Sequence, residues 1–199
     1  MGWNGTCIRK ATGIPQVQAM VVANDKLYVG GWFINAGGVT VNGIACWDGS
    51  AWSALGEGFD GPVLSLTVAA DGRLYAGGTF IKSGALTVNR IACWNGSAWS
   101  ALGSGCDEAV LALAEHGGQI QAGGWFTQAG GVDSPNLARW NGSAWSAPTA
   151  GPDDWVMALT TTAQGLVVGG MFTQVGSTAA GRVALWSGSA WQTLGSTPG

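Results

Sequence analysis

The stretch LYVGGWF at residues 27–33 decides the architecture, because altered copies of it recur along the chain at a nearly constant step. Its centre is a pair of glycines, one variable residue and a phenylalanine. Four copies of this centre occur, with spacings of 47, 46 and 46 residues: Gly30 to Phe33, Gly77 to Phe80, Gly123 to Phe126 and Gly169 to Phe172. Self-similarity at such a period is typical of a repeat architecture.

A second motif keeps the same step and places two tryptophans around a short polar turn. It occurs at residues 47–52, 94–99, 140–145 and 186–191, so both motifs belong to one repeating unit. We divide the chain into an N-terminal half repeat, 1–13, and four full repeats, 14–56, 57–103, 104–150 and 151–199. Together they are expected to form a single domain over residues 1–199.

One repeat divides into four short strands, labelled a to d. In the second repeat the pattern predicts strand a at 63–68, b at 74–80, c at 91–94 and d at 99–102. Asp71-Gly72 predicts a type I′ turn between a and b, and Asn95-Gly96 predicts the turn between c and d. Four antiparallel strands in this length are typical of one propeller blade. The predicted fold class is all-β: a β-propeller of four-stranded antiparallel blades, four full repeats plus an N-terminal half repeat.

The paired glycines need a packing reason, because glycine weakens a strand interior. We interpret them as a site of close packing or a bulge, and we expect the rings of Trp47 and Trp52, and of their equivalents, to rest over the missing side chains. Both faces of strand a carry apolar or small residues, which indicates that neighbouring blades cover both faces.

Composition narrows the function classes. Only 10% of the residues are charged, the net charge is −3, and the eight basic residues form no cluster, so nucleic-acid binding is not expected. No run of 18 apolar residues occurs, so no membrane insertion is expected. The first residues lack a charged leader before an apolar run, so this chain shows no signal peptide.

The four cysteines form no CxxC motif, and His116 is the one histidine, so the common zinc patterns are absent. We expect neither a metal nor a cofactor. Cys46 and Cys93 share one repeat position, and we interpret them as small, half-buried apolar side chains. A disulfide is the alternative in an oxidising compartment.

The residues LYVGGWF, AGGV and IACWDGSAWSALG carry a family resemblance. The repeat resembles the Kelch-like β-propeller repeat of bacterial secreted and surface proteins and of the fungal cortical-marker family, over nearly the whole chain. The resemblance implies a β-propeller and an extracellular or cell-surface location, but no single activity. The tyrosine of the true Kelch pattern is missing between the glycines and the tryptophan. The copper chemistry of galactose-oxidase-type enzymes therefore does not carry over.

Two sets of residues are candidate ligand-binding sites. Three repeats carry an aspartate three residues before the first valine of strand a: Asp60, Asp107 and Asp153. These aspartates would either form a ring of carboxylates near a central channel or cap the amides of a turn. We favour capping.

Tryptophans Trp32, Trp125 and Trp155 stand where other repeats carry different residues. They either cover the next blade, which we slightly favour, or are exposed for sugar stacking or a protein interface.

Repeated geometry without a repeated catalytic set favours a non-enzymatic binding or scaffolding module, with self-association into a homo-oligomer as one form of it. A carbohydrate-binding, lectin-like propeller that uses the tryptophans is the first alternative. An enzyme with a carboxylate or metal centre in the channel is the second. We also predict that residues 1–13 form a c–d hairpin that contributes to ring closure or to an oligomer contact.

Overall fold

We describe the protein from a computed structural model that covers residues 8–9 and 14–194. Every regular element in this part of the chain is a β-strand. The longer strands form four antiparallel sheets of four strands each, one sheet for each repeat. Within each sheet the strands lie in the order a-b-c-d. The predicted fold class is therefore confirmed. The chain divides into two compact units, Met1–Ala101 and Leu102–Gly199.

The first unit contains the first and second blades. Its strands are β1 (Ile8–Arg9), β2 (Gln16–Ala23), β3 (Lys26–Trp32), β4 (Asn35–Ala36), β5 (Val39–Thr40), β6 (Ile44–Trp47), β7 (Trp52–Ala54), β8 (Val63–Val68), β9 (Leu74–Gly78), β10 (Lys82–Ser83), β11 (Leu86–Thr87), β12 (Ile91–Trp94) and β13 (Trp99–Ala101). The sheets run β2-β3-β6-β7 and β8-β9-β12-β13.

The second unit contains the third and fourth blades. Its strands are β14 (Val110–His116), β15 (Gln119–Gly124), β16 (Gln128–Ala129), β17 (Val132–Asp133), β18 (Leu137–Trp140), β19 (Trp145–Ser146), β20 (Val156–Thr162), β21 (Gly165–Gly170), β22 (Gln174–Val175), β23 (Thr178–Ala179), β24 (Val183–Trp186) and β25 (Trp191–Thr193). The sheets run β14-β15-β18-β19 and β20-β21-β24-β25.

Within each unit, strand a of the later blade packs against the earlier blade and fills the space over its first paired glycine. A Cβ built on Gly30 would lie 2.5 Å from Cγ1 of Val63, and one built on Gly123 would overlap Cγ1 of Val156. Both valines are completely buried. The prediction that tryptophan rings rest over these glycines is therefore wrong, because a valine of the next blade takes the place.

The second glycine of each pair meets a bulge in its own sheet. The register between strands a and b shifts by one residue in every repeat, as between Val17 and Ala19. The bulge brings a backbone carbonyl, such as that of Gln16, against the place where a Cβ of Gly31 would lie. Close packing and a bulge, the two reasons predicted for the paired glycines, thus both occur.

The turns and links differ in part from the prediction. At Asp71-Gly72 only the glycine has a positive φ, of 83°, and its amide donates to the Ala69 carbonyl at 2.8 Å, so this turn is longer than the predicted type I′ turn. Asn24 and Asp25, with φ of 52° and 58°, have the backbone that a type I′ turn needs. The link from b to c contains a further two-stranded hairpin, which we call the b–c hairpin and which the sequence analysis missed.

Most of the predicted N-terminal half repeat lies outside the described residues. Its described strand, β1, pairs antiparallel with β4 of the first b–c hairpin, where Ile8 stands opposite Ala36. The predicted turn at residues 3–6 falls outside the described part of the chain.

Candidate functional site

Trp125 and Trp155 form an exposed aromatic pair in the second unit. Trp125 directly follows β15 and Trp155 directly precedes β20, which places each of them where strand b ends and strand a begins. Their ring centroids lie 4.8 Å apart with the planes tilted by 32°. The two side chains remain 44% and 43% exposed, so together they present one continuous apolar surface to solvent. We call this surface the tryptophan platform.

Backbone hydrogen bonds hold both members of the platform in place. The Trp125 amide donates to the Ala109 carbonyl at 3.0 Å, and the Trp155 carbonyl accepts from the Met171 amide at 2.9 Å. These bonds fix the backbone from which both rings project, so the backbone loses little freedom when a ligand binds, which favours affinity.

Hydrogen bonds to the backbone connect two charged side chains and a methionine to Trp155, directly or through Met171. Asp154 Oδ1 accepts a hydrogen bond of 2.7 Å from the Trp155 amide. Arg182 Nη1 donates to the Met171 carbonyl at 3.0 Å, and Met171 is itself 45% exposed. The backbone around Trp155 and Met171 thus positions a carboxylate, a guanidinium and an apolar surface together. The sequence analysis did not identify Asp154, Arg182 or Met171 as site residues.

Trp32 occupies the position of Trp125 in the first repeat but has different surroundings. It is half-buried in the first unit and lines two shallow pockets. One, of about 340 Å³, also contains Pro62, which stands at the position of Trp155. The predicted tryptophan set is therefore divided: Trp125 and Trp155 meet, and Trp32 stands by a proline in its own unit.

The tryptophans that recur in every repeat are structural. The pairs Trp47–Trp52, Trp94–Trp99, Trp140–Trp145 and Trp186–Trp191 have nearly equal geometries, with centroids 5.2 to 5.5 Å apart and tilts of 51° to 53°. The Nε1 atoms of Trp99, Trp145 and Trp191 donate to backbone carbonyls of the preceding repeat, at 2.6 to 2.7 Å, within their own units. The tryptophan platform has no such repeated counterpart.

The three candidate aspartates cap the b–c hairpins. Oδ1 of Asp60 accepts from the amides of Ile81 and Lys82 at 2.8 and 2.9 Å. Asp107 and Asp153 make the same two bonds in their own repeats, and their Oδ2 atoms also accept from the hydroxyls of Thr127 and Thr173. The favoured capping interpretation holds, but the capped amides lie in the hairpin about 20 residues later rather than in the local turn.

At Asp107 and Asp153 these hydrogen bonds favour the ionised carboxylate. Partial burial raises the pKa of Asp107, but the bonds from the Thr127 hydroxyl and the Thr127 and Gln128 amides outweigh it, so the net pKa is lowered. Bonds from the Gln174 amide, and then from Thr173, likewise lower the pKa of Asp153. Carboxylates with lowered pKa are acceptors for fixed donors and poor proton donors at neutral pH.

We also searched the described residues for a metal site, reactive cysteines and a membrane-spanning helix. Among residues 8–9 and 14–194, three or more His, Cys, Asp or Glu side chains nowhere come together in a way that could hold a metal ion. Cys46 and Cys93 are thiols that are buried rather than half-buried as predicted, and burial raises the pKa of each. In the same part of the chain, no helix has the length and apolarity that a membrane crossing requires.

Fold and site together define a repeat protein of the β-propeller class that carries one irregular, exposed aromatic surface. Comparisons with known proteins agree on the class. The family model "Domain of unknown function (DUF5122) beta-propeller" matches residues 23–46. The chain is similar to the crystal structure of the computationally designed Ika4 protein, with 16% identity and a TM-score of 0.50, covering 85% of this chain and 92% of that one. No curated protein matches the sequence.

Proposed function

We propose that the chain is a non-enzymatic binding module and that the tryptophan platform is its ligand site. The observation that carries the proposal is the exposed Trp125–Trp155 contact, which breaks an otherwise regular repeat. A β-propeller repeat fold supports a generic binding or scaffolding role, because such folds hold irregular surface positions on a rigid frame. Large rigid aromatic side chains are the residues that most often anchor interfaces and ligands.

The repeated residues support the same proposal by contrast. Each recurring tryptophan and each recurring aspartate serves a hydrogen bond or packing contact that another repeat also makes. Trp125 and Trp155 replace Thr79 and Pro62, so the blade does not need a tryptophan at either position. A position that the core does not dictate is free to carry a ligand contact.

Carbohydrate is the more specific candidate for the ligand. Indole faces stack on the C–H faces of sugar rings, and the polar groups beside the platform, Asp154 and Arg182, can accept from and donate to hydroxyls. The combination of a contiguous aromatic surface with one carboxylate and one guanidinium at its edge suits a hydroxylated ring.

The alternative of a carboxylate or metal centre has less support. Asp60, Asp107 and Asp153 already accept two or three hydrogen bonds each within their repeats, which gives them a structural task. We therefore propose a module without a metal or cofactor of its own. Elemental analysis of purified protein that found a stoichiometric metal ion would contradict this part of the proposal.

A glycan array with folded protein tests the carbohydrate proposal. We expect the wild type to bind at least one glycan class, and we expect Trp125→Ala/Trp155→Ala to lose most of that binding, by roughly 10-fold or more, since stacking on one ring contributes about 1 kcal/mol or more. Leu86→Ala removes an exposed apolar side chain of the first unit and serves as the matched control that keeps binding. Absence of binding to every glycan would remove the carbohydrate candidate.

We further propose an extracellular or cell-surface location, which the low charge and the family resemblance support. Cell fractionation tests it. Protein recovered outside the cell or at the cell surface would agree with the proposed location, whereas protein recovered only from the cytoplasm would contradict it.

A further inference from the structure

The contact between successive blades has two complementary sides. The later blade contributes two or three apolar side chains from strand a, and the earlier blade contributes a glycine with the residue paired to it on strand c. In the first unit these are Val63, Leu66 and Val68 against Gly30 and Ile44; in the second, Val156 and Leu159 pack against Gly123 and Leu137. We call the first set the knob face and the second the socket face.

The first blade has an equivalent knob face, and its side chains are exposed. Its members are Val17, Met20 and Val22, which stand at the repeat positions of Val63, Leu66 and Val68. They are 41%, 66% and 72% exposed, although Val63 is completely buried and the two other equivalents are partly buried. Three exposed apolar side chains on one strand of a sheet are an unusual feature for a surface that stays in water.

The fourth blade has an open socket face. Gly169 and Val183 are paired across β21 and β24, as Gly30 and Ile44 are paired in the first blade. The atoms nearest to a Cβ built on Gly169 belong to Ala158, at 3.8 Å, and to the Arg182 carbonyl, at 3.9 Å, both in the same repeat. Val183 is 38% exposed, whereas Ile44 and Leu137 are buried. Val63 fills the space over Gly30 and Val156 fills the space over Gly123, whereas no atom of the described residues, its chain neighbours aside, lies nearer than 3.8 Å to a Cβ built on Gly169.

We propose that a second copy of this chain covers these surfaces: the knob face of one copy packs into the socket face of the next. The molecule itself provides the argument, because the same residue types at the same repeat positions already form this contact once within each unit. Knob and socket are different surfaces, so the association is head to tail and produces either a closed ring or an extended chain of copies.

The proposal makes a specific prediction about two variants that block one side each. Gly169→Val fills the socket but leaves the knob intact; Gly169 does not have a positive φ and has room for a side chain, so the fold is expected to tolerate it. Met20→Glu places a charge on the knob at an exposed position and leaves the socket intact. Each variant alone is expected to be a monomer of 20.1 kDa, and an equimolar mixture to give a complex of about twice that mass, because one good interface remains.

Light scattering coupled to size exclusion measures these masses, and thermal unfolding checks that each variant is folded. The wild type is expected at twice the monomer mass or more. Leu86→Glu charges an exposed apolar residue outside both faces and is expected to keep the wild-type mass. A monomeric wild type, a single variant that still assembles, or a mixture of folded variants that stays monomeric would each overturn the proposal.

This test is independent of the ligand proposal. Trp125→Ala/Trp155→Ala leaves the knob and socket residues unchanged and should keep the wild-type mass, while the two blocking variants leave the tryptophan platform unchanged and should keep ligand binding. A wild type that assembles but binds no glycan would therefore contradict the carbohydrate proposal alone, and a wild type that binds a glycan as a monomer would contradict the assembly proposal alone.

Discussion

At the scale of single residues, one aspartate fixes a whole hairpin in three of the four repeats. Asp107 joins the link before strand a to the b–c hairpin through two amides and a threonine hydroxyl, and Asp153 does the same one repeat later. Asp60 lacks the third bond because Ile81 stands where Thr127 and Thr173 stand. The aspartate thus has the same structural role in each of these three repeats, and Asp60 accepts one hydrogen bond fewer than the other two.

We predict that Asp107→Ala lowers the free energy of unfolding by about 1 kcal/mol, since it leaves two amide donors and a hydroxyl to water at an exposed site. Asp107→Asn should cost less, because one acceptor oxygen remains. Urea unfolding followed by tryptophan fluorescence measures both. Equal stability of the wild type and the alanine variant would show that the capping bonds contribute nothing measurable.

The same bonds predict how stability depends on acid. The folded-state pKa values of Asp107 and Asp153 lie below those of the unfolded chain, so their contribution is present at neutral pH and is lost as the pH falls below about 4. Asp107→Asn should therefore lose less stability than the wild type over this acidic range. Parallel acid profiles for the two proteins would contradict the assignment.

At the scale of strands and turns, the sequence predicts what has a regular period and misses what does not. The bounds of strands a and c in the second repeat, 63–68 and 91–94, agree with the structure because alternating side chains define them. The b–c hairpins are missed because strands of two residues, such as Lys82–Ser83, are too short to show a period. The turn at Asp71-Gly72 is misjudged because its length depends on strand pairing rather than on the dipeptide.

Blade packing at the glycines gives the prediction for this scale. Gly123→Ala should destabilise the protein by roughly 1–3 kcal/mol, because its Cβ overlaps Val156 in a filled contact. Gly169→Ala, the equivalent change in the fourth blade, should be nearly neutral when both changes are measured in the Met20→Glu background, in which no second copy covers the socket face and this Cβ meets only atoms at 3.8 Å or beyond. Paired urea unfolding curves compare them. Equal costs at the two positions would mean that the packing of the next blade is not the reason for the glycine.

At the scale of the whole molecule, the period of the repeat predicts the fold class, and departures from the period point to the candidate site. Trp125 and Trp155 are recognisable as candidates because other repeats carry different residues there. Their contact was not predictable, because it depends on how β20 packs against β14 and β15, which strand patterns do not determine. Asp154 and Arg182 were missed for a related reason: Asp154 bonds to the Trp155 amide and Arg182 to the Met171 carbonyl, and such side chain–backbone bonds leave no sequence motif.

The proposed role of the platform is tested most directly by the indole N–H signals in ¹H–¹⁵N NMR spectra, assigned with Trp125→Phe and Trp155→Phe. During titration with the glycan that binds most strongly on the array, the signals of Trp125 and Trp155 should move. Those of Trp99 and Trp145, whose indoles donate to backbone carbonyls in the interior, should stay in place. A glycan that binds while the signals of Trp125 and Trp155 remain unmoved would contradict the account, because the ligand would then lie elsewhere on the molecule.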